Sequence, residues 1–145
     1  MGSPSLIPDA RAPAWSNTWV VSKVEEQLEG KADGNLPRDI ARAMVALYKE
    51  YVGRGPTQAR AYVDHDVITV ILQDTMTTAE KTLAGEDEED LVRGVRRVFQ
   101  GKFREDAVEI AERLTGRRVR AFLSDHAIDP DIAAEVFVFE PDEQV

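Results

Sequence analysis

Residues 86–114, EDEEDLVRGVRRVFQGKFREDAVEIAERL, decide the fold. Carboxylates run from Glu86 to Asp90, where they suit the positive end of a helix dipole. Apolar residues then recur at helical spacing: Leu91, Val95, Phe99, Ala107, Ile110, Ala111 and Leu114. Arg113 near the end, followed by Gly116, Arg117 and Arg118, is a stop signal. The spacing predicts one long helix over 86–114. Burying its apolar side chains contributes on the order of 10–20 kcal/mol at most. Ordering the segment costs more than that, so a sheet must hold the helix in place. Gly94 and Gly101 share a face and predict either a close backbone approach or a bend.

Outward from this helix the chain alternates helices with pairs of strands. On the N-terminal side, residues 1–35 read as a leader with Pro4, Pro8 and Pro13, ending in a short helix from Trp19 to Leu28. Pro37 opens a second helix through Tyr51, with Ile40, Met44, Leu47, Tyr48 and Tyr51 at 3–4 spacing. Gly53, Gly55 and Pro56 stop it. Thr57–Val63 alternates as a strand, Asp64–His65–Asp66 is a tight turn, and Val67–Leu72 is apolar on both faces and therefore central. Thr77 or Thr78 caps a short helix through Leu83. Past the long helix, Arg117–Leu123 is a strand, Ser124–Asp131 a longer turn, and Ile132–Phe139 a strand.

The expected fold class is α+β: a four-stranded antiparallel sheet with two main helices, 37–51 and 86–114, on one face. Residues 36–140 form the domain, and 141–145 are a polar tail. Arg60–His65 echoes Arg120–His126 with one residue inserted. The two halves read as copies of a helix–strand–strand unit, or as two hairpins of similar composition.

Composition narrows the function classes. At 145 residues, 43% hydrophobic and 31% charged, the chain is long enough for one domain with a real core. It has no cysteine, so no disulfide framework and no thiolate metal site, which is compatible with the cytoplasm as its location. No apolar run approaches the ~20 residues needed to span a bilayer, and no signal peptide is evident. Net charge is −9, which repels nucleic acid at long range. Yet nine basic residues lie between Arg93 and Arg120, so a local basic surface is compatible with the acidic whole.

No catalytic signature stands out. There is no GxSxG serine and no thiol nucleophile, and no carboxylate pair is set apart from surface charge. The Asp64–His65–Asp66 and Ser124–Asp125–His126 segments, the latter with Asp129 and Asp131, carry metal-capable side chains. Their spacing fits no calcium or zinc template, and Asp, Ser and Pro are turn formers. Both are expected to be structural, with no metal and no cofactor. Gly53–Arg54–Gly55–Pro56–Thr57 lacks the phosphate-loop pattern and follows a helix.

The second face of the sheet offers a candidate surface. If Ala59, Ala61, Val63, Val119, Ala121 and Leu123 face the helices, then Arg60, Tyr62, Arg118, Arg120 and Phe122 point away. On the last strand Ile132, Ala134, Val136 and Val138 would face in, leaving Glu135, Phe137 and Phe139 outward. Aromatics with arginines suit a homodimer interface, an intramolecular cover by Trp15 and Trp19, an anion or small-molecule site using Arg60, Arg118 and Arg120, or a base-stacking platform. The acidic charge argues against nucleic acid.

Several runs resemble a known family. They are Ala41 with Leu47–Tyr51, Gly53–Thr57 and the strands to Leu72, Thr78–Leu83, Thr115–Arg117, and Leu123–Asp131 leading into Glu135–Val138. Together, from Pro37 to Glu140, they are similar to the MpsC-like family, named for a sodium-translocating, membrane-potential-generating system. The resemblance implies a small soluble accessory or regulatory protein of a membrane ion or inorganic-carbon uptake system, with a membrane protein as partner. It implies no catalytic residue, and it leaves residues 1–35 unaddressed.

Overall fold

Asn35 begins the first long element. Its side-chain oxygen accepts from the Arg38 N–H at 3.0 Å, and Pro37 sits in the first turn of α2, Leu36–Val52. Gly53 ends the helix at φ 89°, a left-handed conformation that a side chain would oppose. The computed structural model describes residues 18–28 and 34–141. Helix α1 spans Thr18–Leu28, β1 Gln58–Asp64, β2 Val67–Gln73, α3 Thr78–Gly85, α4 Glu89–Thr115, β3 Val119–Ala127 and β4 Ile132–Phe139. Thr77 caps α3 with a full capping box closed by Glu80. Gly116 ends α4 in the left-handed region.

The four strands form one antiparallel sheet in the order β1–β2–β4–β3. The hairpins β1–β2 and β3–β4 meet along β2 and β4, so each contributes its second strand to the centre. This is the α+β architecture expected from the pattern; the echoed residues Tyr62 and Phe122 lie on opposite faces of the sheet. Helix α2 packs on β1 and β2, and α4 packs on β3 and on α2. Helix α1 rests on α2 and α4, burying Val20, Val21 and Val24.

Register fixes which side chains share a face. Across the helix-facing side run the rows Val63–Ile68–Phe137–Phe122, Ala61–Val70–Glu135–Ser124 and Ala59–Leu72–Ala133–His126. Across the open side run Asp64–Val67–Val138–Ala121, Tyr62–Thr69–Val136–Leu123 and Arg60–Ile71–Ala134–Asp125.

The expected facing of β4 and β3 is therefore reversed. Phe137, Phe139 and Phe122 are buried beneath the helices, while Val136, Val138 and Leu123 face outward. The cause is area: rings bury far more surface than valine or alanine. Tyr48, Phe103, Phe122, Phe137 and Phe139 form a chain of ring contacts with centroids 4.9–6.5 Å apart. A bulge between Val119 and Ala121 leaves Arg120 without a register partner and shifts the alternation of β3.

Four further expectations change. Leu91, Val95 and Phe99 do not lie on the packed stripe of α4 but are 38–50% exposed, next to Val98 at 68%. Steps of four drift around a helix: Leu91 and Ala107 are about 160° apart at 3.6 residues per turn. The packed stripe instead runs Val92, Arg96, Phe103, Ala107 and Ile110. Among the described residues, Gly94 and Gly101 meet no neighbouring backbone; a Cβ on either would contact nothing within 4 Å. Ser124, Asp125 and His126 belong to β3 and not to a turn. Trp19 is 61% exposed on α1, which sits on the helix layer and so does not cover the open sheet face; Lys23 Nζ lies 5.9 Å from its ring centroid. Trp15 lies outside the described residues.

Candidate functional site

Three places could carry function: a polar knot at one end of the sheet, a buried carboxyl beneath the helices, and the open face.

The knot grows from the loop after β2 and the start of β4. Asp131 Oδ1 is 2.8 Å from His126 Nε2 and accepts from the Thr75 hydroxyl at 3.1 Å; Oδ2 accepts from the Met76 N–H at 2.8 Å. Burial acts to raise the Asp131 pKa, but the bonds from His126, Met76 and Thr75 outweigh it and hold the carboxyl below its ordinary value. Arg96 reaches in from α4. Its Nε donates to Glu80 Oε2 at 2.6 Å, and Nη2 donates to Glu80 Oε1 and to the Thr75 carbonyl. Arg54 and Arg93 donate to the carbonyls of Met76 and His126. Met76, Val92 and Ile128 form a small apolar cluster nearby.

This constellation resembles a Thr–His–Asp triad in composition only. A triad needs the carboxylate on one imidazole nitrogen and the nucleophile on the other. Here Thr75 and Asp131 both face Nε2, and Thr75 donates to the carboxylate. Thr75 is also wholly buried, so no substrate carbonyl reaches it. The knot ties α3 and α4 to the end of the sheet. Among the described residues no cluster of three or more His, Cys, Asp or Glu could hold a metal ion. At the other Asp-His segment, His65 and Asp64 contact each other in the open at 2.6 Å.

Arg117 fastens the opposite end. It pairs with Asp66, donates to the carbonyls of His65 and Glu140, and lies 5.2 Å from the Phe139 ring centroid. The Gly116–Arg117 pair thus stops α4 and locks the β1–β2 turn.

Glu135 is the group the pattern did not reveal as buried. It sits in the middle of β4 with no exposure, accepting from Tyr48 Oη at 2.6 Å. Among the described residues its Oε2 has no hydrogen-bond partner. Burial pushes its pKa up to about 7, against smaller lowering effects from Ser124, Tyr48 and Arg96. Burial likewise raises the Tyr48 phenol, and the adjacent carboxyl raises it further. Gln100 donates to Ser124 Oγ at 3.2 Å, so a polar path runs from α4 toward this carboxyl. The only hint in the sequence is that Glu135 alternates in phase with Phe137 and Phe139.

On the open face, Tyr62 is 56% and Leu123 60% exposed, both in one row with Thr69 and Val136. Of the seven expected contact residues, Arg60, Tyr62, Arg118 and Arg120 are exposed, whereas Phe122, Phe137 and Phe139 lie in the core. Nor are the arginines together. Arg60 is on edge strand β1, and Arg118 and Arg120 are at the far edge, roughly 14 Å away across three strand spacings. The face is aliphatic at its centre: Val67, Ile71, Val136 and Val138 line it, half-buried.

Comparison with known proteins agrees with the motif resemblance. The family model described as Na+-translocating membrane potential-generating system (MpsC) matches residues 32–141. A curated relative, the uncharacterized protein YbcI of Bacillus subtilis (strain 168), is 27% identical over 96 residues, 66% of this chain and 77% of that protein. No solved structure matches. Among the described residues, no helix is long and apolar enough to cross a membrane.

Proposed function

The chain belongs to the MpsC family, described as a Na+-translocating membrane potential-generating system, and on that premise we propose that it is a non-catalytic accessory or regulatory protein of a membrane ion or inorganic-carbon uptake system. It acts through protein contacts, and it pairs with a second copy through the open sheet face. The observation that carries this reading is that face: four strands whose central rows, Thr69–Val136 and Val67–Val138, are covered by no described element. Its flat footprint is on the order of 450 Å², from strand spacing and rise. An uncovered sheet face with an aliphatic centre marks an interaction site. The footprint is about half the area per partner of a standard interface, which places the dimer in the small, transient class.

The second apolar patch, Leu91, Val95, Val98 and Phe99 on α4, stays free in such a dimer and is available to the membrane component. Full-length chain used as bait on detergent-solubilised membranes of its source cells tests this part. A transport protein should be enriched by the native chain and lost with Val98→Glu. Recovery of no membrane protein, or equal recovery by the variant, contradicts it.

A further inference from the structure

Arg96 is bonded to one buried carboxyl and lies within electrostatic reach of a second. Its guanidinium donates twice to Glu80 and once to the Thr75 carbonyl. Glu80 Oε1 also accepts from the Thr77 N–H, so the ion pair and the capping box of α3 share an atom. The second carboxyl is Glu135, one row of the sheet along from His126 and wholly buried. It faces Tyr48 from α2, Ser124 from β3 and Arg96 from α4, and its register partner on β2 is the apolar Val70. Gln100 of α4 bonds to Ser124; Asp131, bonded to His126, acts on Tyr48. Arg96 is the cation that acts on Glu135.

While Glu135 keeps its proton, one buried guanidinium balances one buried carboxylate. Ionisation adds a second carboxylate whose Oε2 has no partner among the described residues, and a buried charge is costly unless paired. The element with least to hold it is α3, eight residues long and packed mainly on α4, with Leu83 and Ala84 over Met76 and Val92. We propose that Glu80 and Glu135 compete for Arg96, so that loss of the Glu135 proton draws the guanidinium from Glu80 toward β4 and loosens α3 from α4. Glu80 then turns to water, and Val92 is uncovered beside Leu91, Val95 and Phe99. That widening of the α4 patch matters only if the patch docks a partner, as read above; the switch itself does not depend on it. In the open state Glu135 is paired or hydrated and binds its proton more weakly than in the closed state. Opening is therefore favoured as pH rises, by up to about tenfold per unit, and levels off above the closed-state value of about 7.

Hydrogen exchange on the full-length chain at about pH 5.5 and 7.5, corrected for the intrinsic rate at each pH, tests this. Protection of amides within 78–85 should start below that of β4, which exchanges with global unfolding, and should fall at least about tenfold between the two pH values. In Glu135→Gln it should stay constant within about twofold. His126 and Asp131 are present in both proteins, so the difference between them belongs to Glu135. A second readout needs no variant: in the native chain the Arg96 Nε–H resonance, set by its bond to Glu80 Oε2, should move along the same titration curve as the Glu135 carboxyl carbon. Protection of α3 that ignores pH, an equal loss of protection in Glu135→Gln, or an Arg96 Nε–H resonance that stays still while the Glu135 carboxyl titrates overturns the proposal.

Discussion

Replacing Glu135 by glutamine should remove a pH dependence of stability that the native chain carries. The native carboxyl is fully buried, bonded to Tyr48 through one oxygen and unpartnered at the other, and its pKa is raised from 4.5 to about 7. The unfolded chain loses this proton near pH 4.5, whereas the folded chain keeps it until about 7. Between those values the folded state binds more protons, so stability falls as pH rises and levels off above the folded value. A displacement of this size corresponds to about 3 kcal/mol between pH 4 and 8. For a domain of this length that is about 10 °C in Tm. Glutamine keeps the acceptor for Tyr48 and cannot ionise. Its amide hydrogens near Ser124 change the offset at every pH, so the slope is what matters. Urea unfolding by circular dichroism from pH 5 to 8.5, at one protein concentration, gives both curves. Asp106, whose pKa burial also raises, contributes equally to both proteins. The E135Q curve should be flatter by about 2.5 kcal/mol over the range. Parallel curves would show that Glu135 is ionised throughout and refute the reasoning.

Gly94→Ala and Gly101→Ala should each stabilise the fold by about 0.5–1 kcal/mol, because α4 gains helix propensity and a methyl meets empty space at both positions; destabilisation in urea melts would mean a close approach at one of them. His126→Ala should cost about 1–3 kcal/mol by removing a bond to the partly buried Asp131. Calcium, magnesium, manganese and zinc should leave the melting temperature of the native chain unchanged, and a saturable rise with one of them, abolished in His126→Ala, would make the knot a metal site.

Much of the fold was legible because its boundaries are written in local chemistry. Asn35, Pro37 and Gly53 frame α2, Thr77 and Glu80 start α3, and the β-branched run Val67–Leu72 marks a central strand. Face assignment was not legible on β4, since both faces of Ile132–Phe139 are apolar and the one charge, Glu135, marked the buried side as the exposed one. A buried carboxyl is uncommon enough that alternation alone points the wrong way. Arg96 misleads similarly: a cation on α4 proves to be a packed residue because Glu80 and the Thr75 carbonyl receive it. The candidate site suffered from both effects. Tyr62 and Arg60 could be placed, because β1 alternates small with large, whereas the three phenylalanines could not.

The mass of the full-length chain in solution tests the central claim most directly. Light scattering at tens of micromolar should give twice the 16.2 kDa of one chain, falling to the monomer on dilution and in Leu123→Glu/Val136→Glu, two outward positions paired with each other across β3 and β4. A monomer at every concentration, or a dimer unchanged by that variant, would contradict pairing through the open sheet face.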